Sequence, residues 1–206
     1  MGEDNRVSEF IDPIPHARLK GDEPLLPGIL VRDFWEWAVG DLRLNATRGL
    51  LAQFLVAQAV GDTRLNDDGW GDFDVLSSEG IRIEVKCSGY LQSWAQRRAS
   101  TIAFSGLKGR TWSAETGYGL KPEVRADVFV FAVQTSQDRQ QYNPLDLDAW
   151  DFHVLPGSVI RDSGQQSMSL STVRRLGGVP LKWDLLRAAI LDAYGRENTE
   201  DPPSIW

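Results

Sequence analysis

The segment Ala126 to Val133 reads Ala-Asp-Val-Phe-Val-Phe-Ala-Val and is apolar at every position but one. A strand that is half exposed alternates apolar with polar residues, whereas one covered on both faces is apolar throughout. This run therefore predicts a central strand with a layer packed on each side. Such a strand needs neighbours and covering helices. The amphipathic spacing of Val31, Phe34, Trp35, Ala38 and Leu42 supplies one helix. A second is predicted from Asn45 or Thr47, the candidate caps, to Gly61, with Leu51, Phe54 and Leu55 as its apolar stripe and Gln53 beside it. Phe73 to Leu76, Ile81 to Lys86 and Trp150 to Leu155 read as further strands, and Trp183 to Tyr194 as a last helix. The expected architecture is α/β, a mixed β-sheet flanked by helices.

Organisation follows from proline and charge. Pro13, Pro15, Pro24 and Pro27 crowd Asp12 to Pro27 and exclude a helix or a central strand there. Residues 1–28 are thus expected to form an extended arm, 29–197 one domain and 198–206 a loose tail. No run of 18 apolar residues suggests a membrane span, and Cys87 is the single cysteine, so a reducing, cytoplasmic setting is expected. The two histidines, His16 and His153, lie far apart and argue against a histidine zinc site. A net charge of −7 argues against a broadly adhesive nucleic-acid coat. The stretch Arg82 to Arg125 nevertheless holds eight basic residues against three acidic ones. Such a strip suits a phosphate backbone; a solvated loop is the alternative.

The chemistry concentrates on one hairpin. Side chains alternate along a strand, so Ile81, Ile83 and Val85 share the core face while Arg82, Glu84 and Lys86 share the other. A three-residue loop Ser78-Glu79-Gly80, with Gly80 left-handed, pairs Ser77 with Ile81 and by counting sets Asp74 opposite Glu84, whereas a four-residue loop would pair Asp74 with Ile83. Facing carboxylates repel unless a cation answers them. Mg²⁺, or Mn²⁺ in its place, takes one or two carboxylates together with water and phosphate oxygens. Lys86 stands on the same face, about 7 Å further along. Asp72 has the same parity as Asp74 and is its rival. The plain alternative is a solvated face that carries Asp, Glu and Lys because charges sit outside.

Asp74, the Ile-Arg-Ile strand and Glu84-Val85-Lys86 resemble the PD-(D/E)XK signature of restriction-endonuclease-like nucleases. Arg48-Gly49 and Leu51-Ala52-Gln53-Phe54 before the hairpin, Ser88 to Trp94 after it and Arg125-Ala126-Asp127 are similar to that superfamily too. The resemblance covers Asn45 to Val133. It implies a restriction-endonuclease-like fold and a Mg²⁺-dependent endonuclease acting on DNA, with RNA as a second substrate class. Asp74, Glu84 and the Val85 carbonyl would hold the metal, Lys86 would position the attacking water, and Gln53 stands where many relatives carry a glutamate. The superfamily proline before the first Asp is missing. Gln92 and Gln96, on one face if that segment is helical, and Arg97, Arg98, Lys108 and Arg110 are the candidate nucleic-acid contacts; Trp94 and Trp112 could stack on bases. The acidic balance suggests a homodimer or a protein partner. Competing readings are a binding module on the same fold that has lost cleavage and a purely structural domain.

Overall fold

The computed structural model describes residues 19–62, 64, 71–110, 112–113 and 117–199. His16, most of the proline-rich arm, the Trp112 side chain and residues 200–206 lie outside them. In chain order the elements begin with a small hairpin, β1 (Pro24–Leu26) and β2 (Ile29–Leu30), followed by α1 (Val31–Val39) and α2 (Asn45–Val60). Then come β3 (Val75–Leu76), β4 (Arg82–Gly89), β5 (Ala103–Ser105), β6 (Trp112–Ser113), β7 (Gly117–Tyr118) and β8 (Val128–Gln134). The last part holds β9 (Trp150–Pro156), α3 (Gly157–Ser163), β10 (Ser167–Ser169), α4 (Leu170–Arg175) and α5 (Leu186–Thr199).

The central sheet has the order β3-β4-β8-β9 and is mixed: β4 and β8 are parallel, and the outer pairs are antiparallel. The apolar run predicted to be central is β8, buried at all seven positions. Its two faces belong to different cores, as its composition requires. Val128, Val130 and Ala132 pack with Ile81, Ile83 and Val85 under α2 and α5. Phe129, Phe131 and Val133 pack with Phe104, Leu107, Ile160, Met168 and Val173. Because Glu84 and Lys86 pair with Phe129 and Phe131, they lie on the second face, away from α2. Helices flank the sheet, so the α/β architecture holds.

Three local readings need correcting. In α2 the buried apolar residues are Ala52, Val56 and Val60, one turn apart, while Leu51 and Leu55 flank them and Phe54 is exposed. Small and β-branched side chains let the helix lie close on the sheet, and the bulkier leucines fill its margins. Helix α1 stops at Val39, short of Leu42, and buries only Val31. The segment holding Gln92 and Gln96 is irregular, not helical. Strand β9 is covered on both faces, with His153 fully buried. No helix of the described residues is long and apolar enough to cross a membrane.

Candidate active site

From Ser77 to Val75 the hairpin has the register that counting from Gly80 gave, but Asp74 is not paired with Glu84. Gly80 has φ +83°, the left-handed value such a loop needs. Ser77 N–H donates to Ile81 O at 3.0 Å, Leu76 faces Arg82 and Val75 faces Ile83. The Ser77 hydroxyl oxygen accepts from the N–H groups of Glu79 and Ile81, which ties the loop.

Beyond Val75 the ladder stops. The N–H of Asp74 still donates to Ile83 O, the residue that Val75 already faces. Two residues thus meet one, and the strand bends away as in a bulge, a device that re-aims side chains beside functional sites. The Asp74 carboxylate turns back onto β4. Its Oδ2 accepts from Val85 N–H at 2.7 Å and its Oδ1 from Gln53 Nε2 at 2.9 Å. Polar backbone groups alternate sides along a strand. Arg82 O accepts from Asp127 N on the β8 side, while Ile83 O accepts from Asp74 on the other. Val85, two residues after Ile83, therefore also directs its carbonyl to the flank where β3 has ended.

On either side of Val85, Glu84 and Lys86 are joined by an ion pair, Nζ to Oε1 at 2.6 Å, each side chain 20% exposed. The structure thus links all the predicted catalytic residues. Gln53 holds Asp74, Asp74 holds the Val85 backbone, and Val85 separates the paired Glu84 and Lys86. Gly106 packs over the lysine: a Cβ there would lie 3.5 Å from Nζ. Glu84 also lines a small cavity of about 100 Å³ with Asp72, Glu123, Arg110 and Arg125. Asp72 is therefore close to the site, but its carboxylate is ion-paired with Arg125. Asp127 braces β4 instead, accepting from Arg82 N–H at 2.9 Å and pairing with its guanidinium.

The candidate metal donors, the Asp74 and Glu84 carboxylates and the Val85 carbonyl, are all oxygens. That set suits a hard cation such as Mg²⁺ and not a tetrahedral zinc. No group of three His, Cys, Asp or Glu residues gathers at metal-binding spacing among the described residues. Cys87 turns to the other face. Burial pushes its thiol up to about 11, and its Sγ lies 3.7 Å from Arg48 O. It is packing material, not a nucleophile.

The candidate DNA contacts scatter. Arg110 lines the small cavity. Lys108 donates to Gly164 O and is tied to the loop after α3. Arg97 and Arg98 are exposed on the irregular loop after β4. Gln92 and Gln96 secure that loop: Gln92 N–H donates to Gln96 Oε1, and both side-chain amides donate to Ser100 Oγ and to backbone carbonyls. Trp94 is 55% exposed.

Arg48 is the residue whose importance the sequence hides. It is 3% exposed and donates to Leu91 O, Asn45 Oδ1 and Gln92 Oε1, so α2 clamps the chain leaving β4. Gly89 makes room for it, since a Cβ there would lie 3.1 Å from the guanidinium. An arginine followed by glycine looks like an exposed helix start. Only the missing side chain at Gly89 hinted otherwise.

Residues 38–172, from the end of α1 to the middle of α4, match the family model described as bacteriophage T4 endonuclease IV. No curated protein matches the chain significantly.

Proposed function

The chain belongs to the bacteriophage T4 endonuclease IV family, and from that premise we propose that it is a Mg²⁺-dependent endonuclease hydrolysing DNA phosphodiesters at Asp74, Glu84 and Lys86. The observation that carries this reading is the convergence on Val85. One carboxylate is bound to its N–H, its carbonyl is directed to the open flank, and a paired carboxylate and ammonium adjoin it. This arrangement fits the PD-(D/E)XK pattern.

In this reading Asp74, Glu84 and the Val85 carbonyl hold Mg²⁺, with Mn²⁺ as a substitute. When bound, the cation supplies Lewis acidity and a bound water of lowered pKa. The remaining work falls to the chain. Gln53 fixes the Asp74 rotamer through its amide, so the carboxylate loses little freedom on taking a ligand. Lys86 carries its charge on a flexible stem beside a carboxylate that a cation can claim. Released from Glu84, its ammonium donates to the attacking water or to a phosphate oxygen as negative charge builds. The covering Gly106 leaves no side chain in the way.

A second reading, a nucleic-acid-binding module without cleavage, is favoured by one observation: Gln53, which holds Asp74, contributes no charge of its own. A nicking assay on supercoiled plasmid and single-stranded DNA decides between them. Cleavage is expected with Mg²⁺ or Mn²⁺, none in EDTA, and none for Glu84→Gln. If the wild type binds Mn²⁺ and DNA yet never nicks, the binding module is right. If cleavage persists in EDTA, the metal assignment is wrong.

A further inference from the structure

A second concave site lies beyond the end of β4. It has a volume of about 280 Å³ and is lined by Arg43, Leu91, Gln92, Ser93, Arg139 and Tyr142. Its charge is unbalanced. Arg139 donates only to neutral oxygens, those of Gln92 O, Trp94 O and Gln96 Oε1. Arg48, buried behind it, donates to Leu91 O and Gln92 Oε1, both groups of the pocket wall, and to Asn45. Neither arginine has a carboxylate within ion-pair reach among the described residues. Arg43 is the exception, held by Asp41 at 2.8 Å, which keeps that carboxyl down at about 2. Three guanidiniums thus face one carboxylate. The Tyr142 hydroxyl is buried here without a hydrogen-bond partner. A buried polar group left unmade is costly, and buried charge without a counter-charge is costlier.

We propose that this pocket is a phosphate-binding subsite, which takes a phosphate group of a nucleotide chain at a distance from the cleaved bond. The chemistry points to an anion with several acceptor oxygens. Such a group accepts from the Ser93 hydroxyl and, after a turn of the Tyr142 ring toward the pocket, from the Tyr142 hydroxyl, and answers the guanidiniums that no carboxylate neutralises. The volume exceeds that of a phosphate alone and leaves room for its sugar. Trp94, which follows Ser93 and is 55% exposed, offers a ring on which a base can stack. Lys86 and Leu91 are five residues apart, so the pocket lies within about 17 Å of the proposed catalytic lysine. That span corresponds to about five stacked nucleotides. The inference extends the nuclease reading to a second point on the same strand, although the binding it predicts needs no cleavage.

The test is fluorescence anisotropy of the full chain in EDTA, with a short single-stranded DNA bearing or lacking a 5′ phosphate, and inorganic phosphate as competitor. Tyr142→Phe removes the hydroxyl alone. It should weaken DNA binding about tenfold, the scale for one hydrogen bond to a charged group, while the melting temperature stays equal or rises. Arg139→Gln should flatten the slope of log affinity on log salt by about 0.7, one phosphate contact on a single strand. Losses with both oligonucleotides assign an internal phosphate, and a loss confined to the phosphorylated one assigns a terminal phosphate or free nucleotide. If both variants bind like the wild type at every salt concentration, the subsite does not exist, whether or not the protein nicks DNA. If they lose binding while the wild type never nicks, the subsite stands and the nuclease reading falls.

Discussion

Replacing Asp74 separates its two proposed roles, because alanine and asparagine remove different things. The carboxylate accepts from Val85 N–H and Gln53 Nε2 at 2.7 and 2.9 Å. In Asp74→Ala the Val85 N–H, on a residue 6% exposed, has no acceptor, which costs about 1–3 kcal/mol. The half-buried Gln53 amide recovers part of its loss from water, at about 0.5–1 kcal/mol. Relief of repulsion with Glu84 offsets little, since Lys86 already answers that charge at 2.6 Å. The sum is about 1.5–4 kcal/mol, or a fall in melting temperature of about 3–16 °C for a domain of this size. Asparagine keeps both bonds: its carbonyl accepts from Val85, and Gln53 flips to offer its oxygen to the new amide. The cost should stay near 1 kcal/mol, the loss of charge assistance. Calorimetry in EDTA measures both. Added Mn²⁺ at about a hundred times its Kd should then stabilise the wild type by about 2.7 kcal/mol and both variants far less. Should Asp74→Ala melt with or above the wild type in EDTA, the bond to Val85 contributes nothing and the proposed preorganisation is refuted.

Lys86→Ala leaves every metal donor in place, so calorimetric Mn²⁺ affinity should hold or improve while nicking falls about 100- to 1000-fold; a parallel loss of metal binding would make Lys86 structural. Cys87 should react with iodoacetamide at pH 7 at least about a hundredfold slower than a free thiol, because burial has raised its pKa to about 11; mass spectrometry showing rapid labelling would contradict its packing role. His153 donates from Nδ1 to Gly178 O at 2.7 Å and has no partner for Nε2, and burial lowers its pKa below the usual 6.5. The unfolded chain then binds the extra proton first, so stability is full above about pH 6.5 and declines as pH falls toward the lowered folded value. Urea titrations from pH 7.5 to 5 should show that decline, and His153→Asn should flatten it.

The parts of this architecture that were legible are those fixed by local geometry. The unbroken apolar run of β8 demanded two covering layers. Gly80 set a loop length from which the pairing of Val75 with Ile83 follows by counting. Illegible were the features that depend on what packs from afar. His153, set between Asp151 and Val154, resembles the wet side of a strand until α4 and Gly178 close over it. Gln92 and Gln96 have helical spacing, yet an irregular loop suits them better because Ser100 and the Tyr90 carbonyl can be reached from it. Counting also missed the bend at Asp74, since a one-residue departure from the ladder leaves no mark in the composition. The Arg125 pairing that ties up Asp72 joins residues 53 apart, beyond any pattern of spacing.

The brevity of β3 has a consequence for association as well as for catalysis. With only Val75 and Leu76 in the strand, β4 itself becomes the rim of the sheet from Val85 onward among the described residues. A bare rim is a template on which a second extended chain can dock and propagate. Here the first donor of that stretch, the Val85 N–H, is taken by an aspartate side chain, which a passing strand would have to displace while accepting its negative charge at close range. The Asp74 charge therefore opposes the docking of a further strand at this point of the rim. A longer β3 would protect the rim better and add ladder bonds, but it would seal off the Val85 carbonyl. The protein has kept the strand short and defended the gap with charge, so neutralising that charge risks clumping even where folding survives.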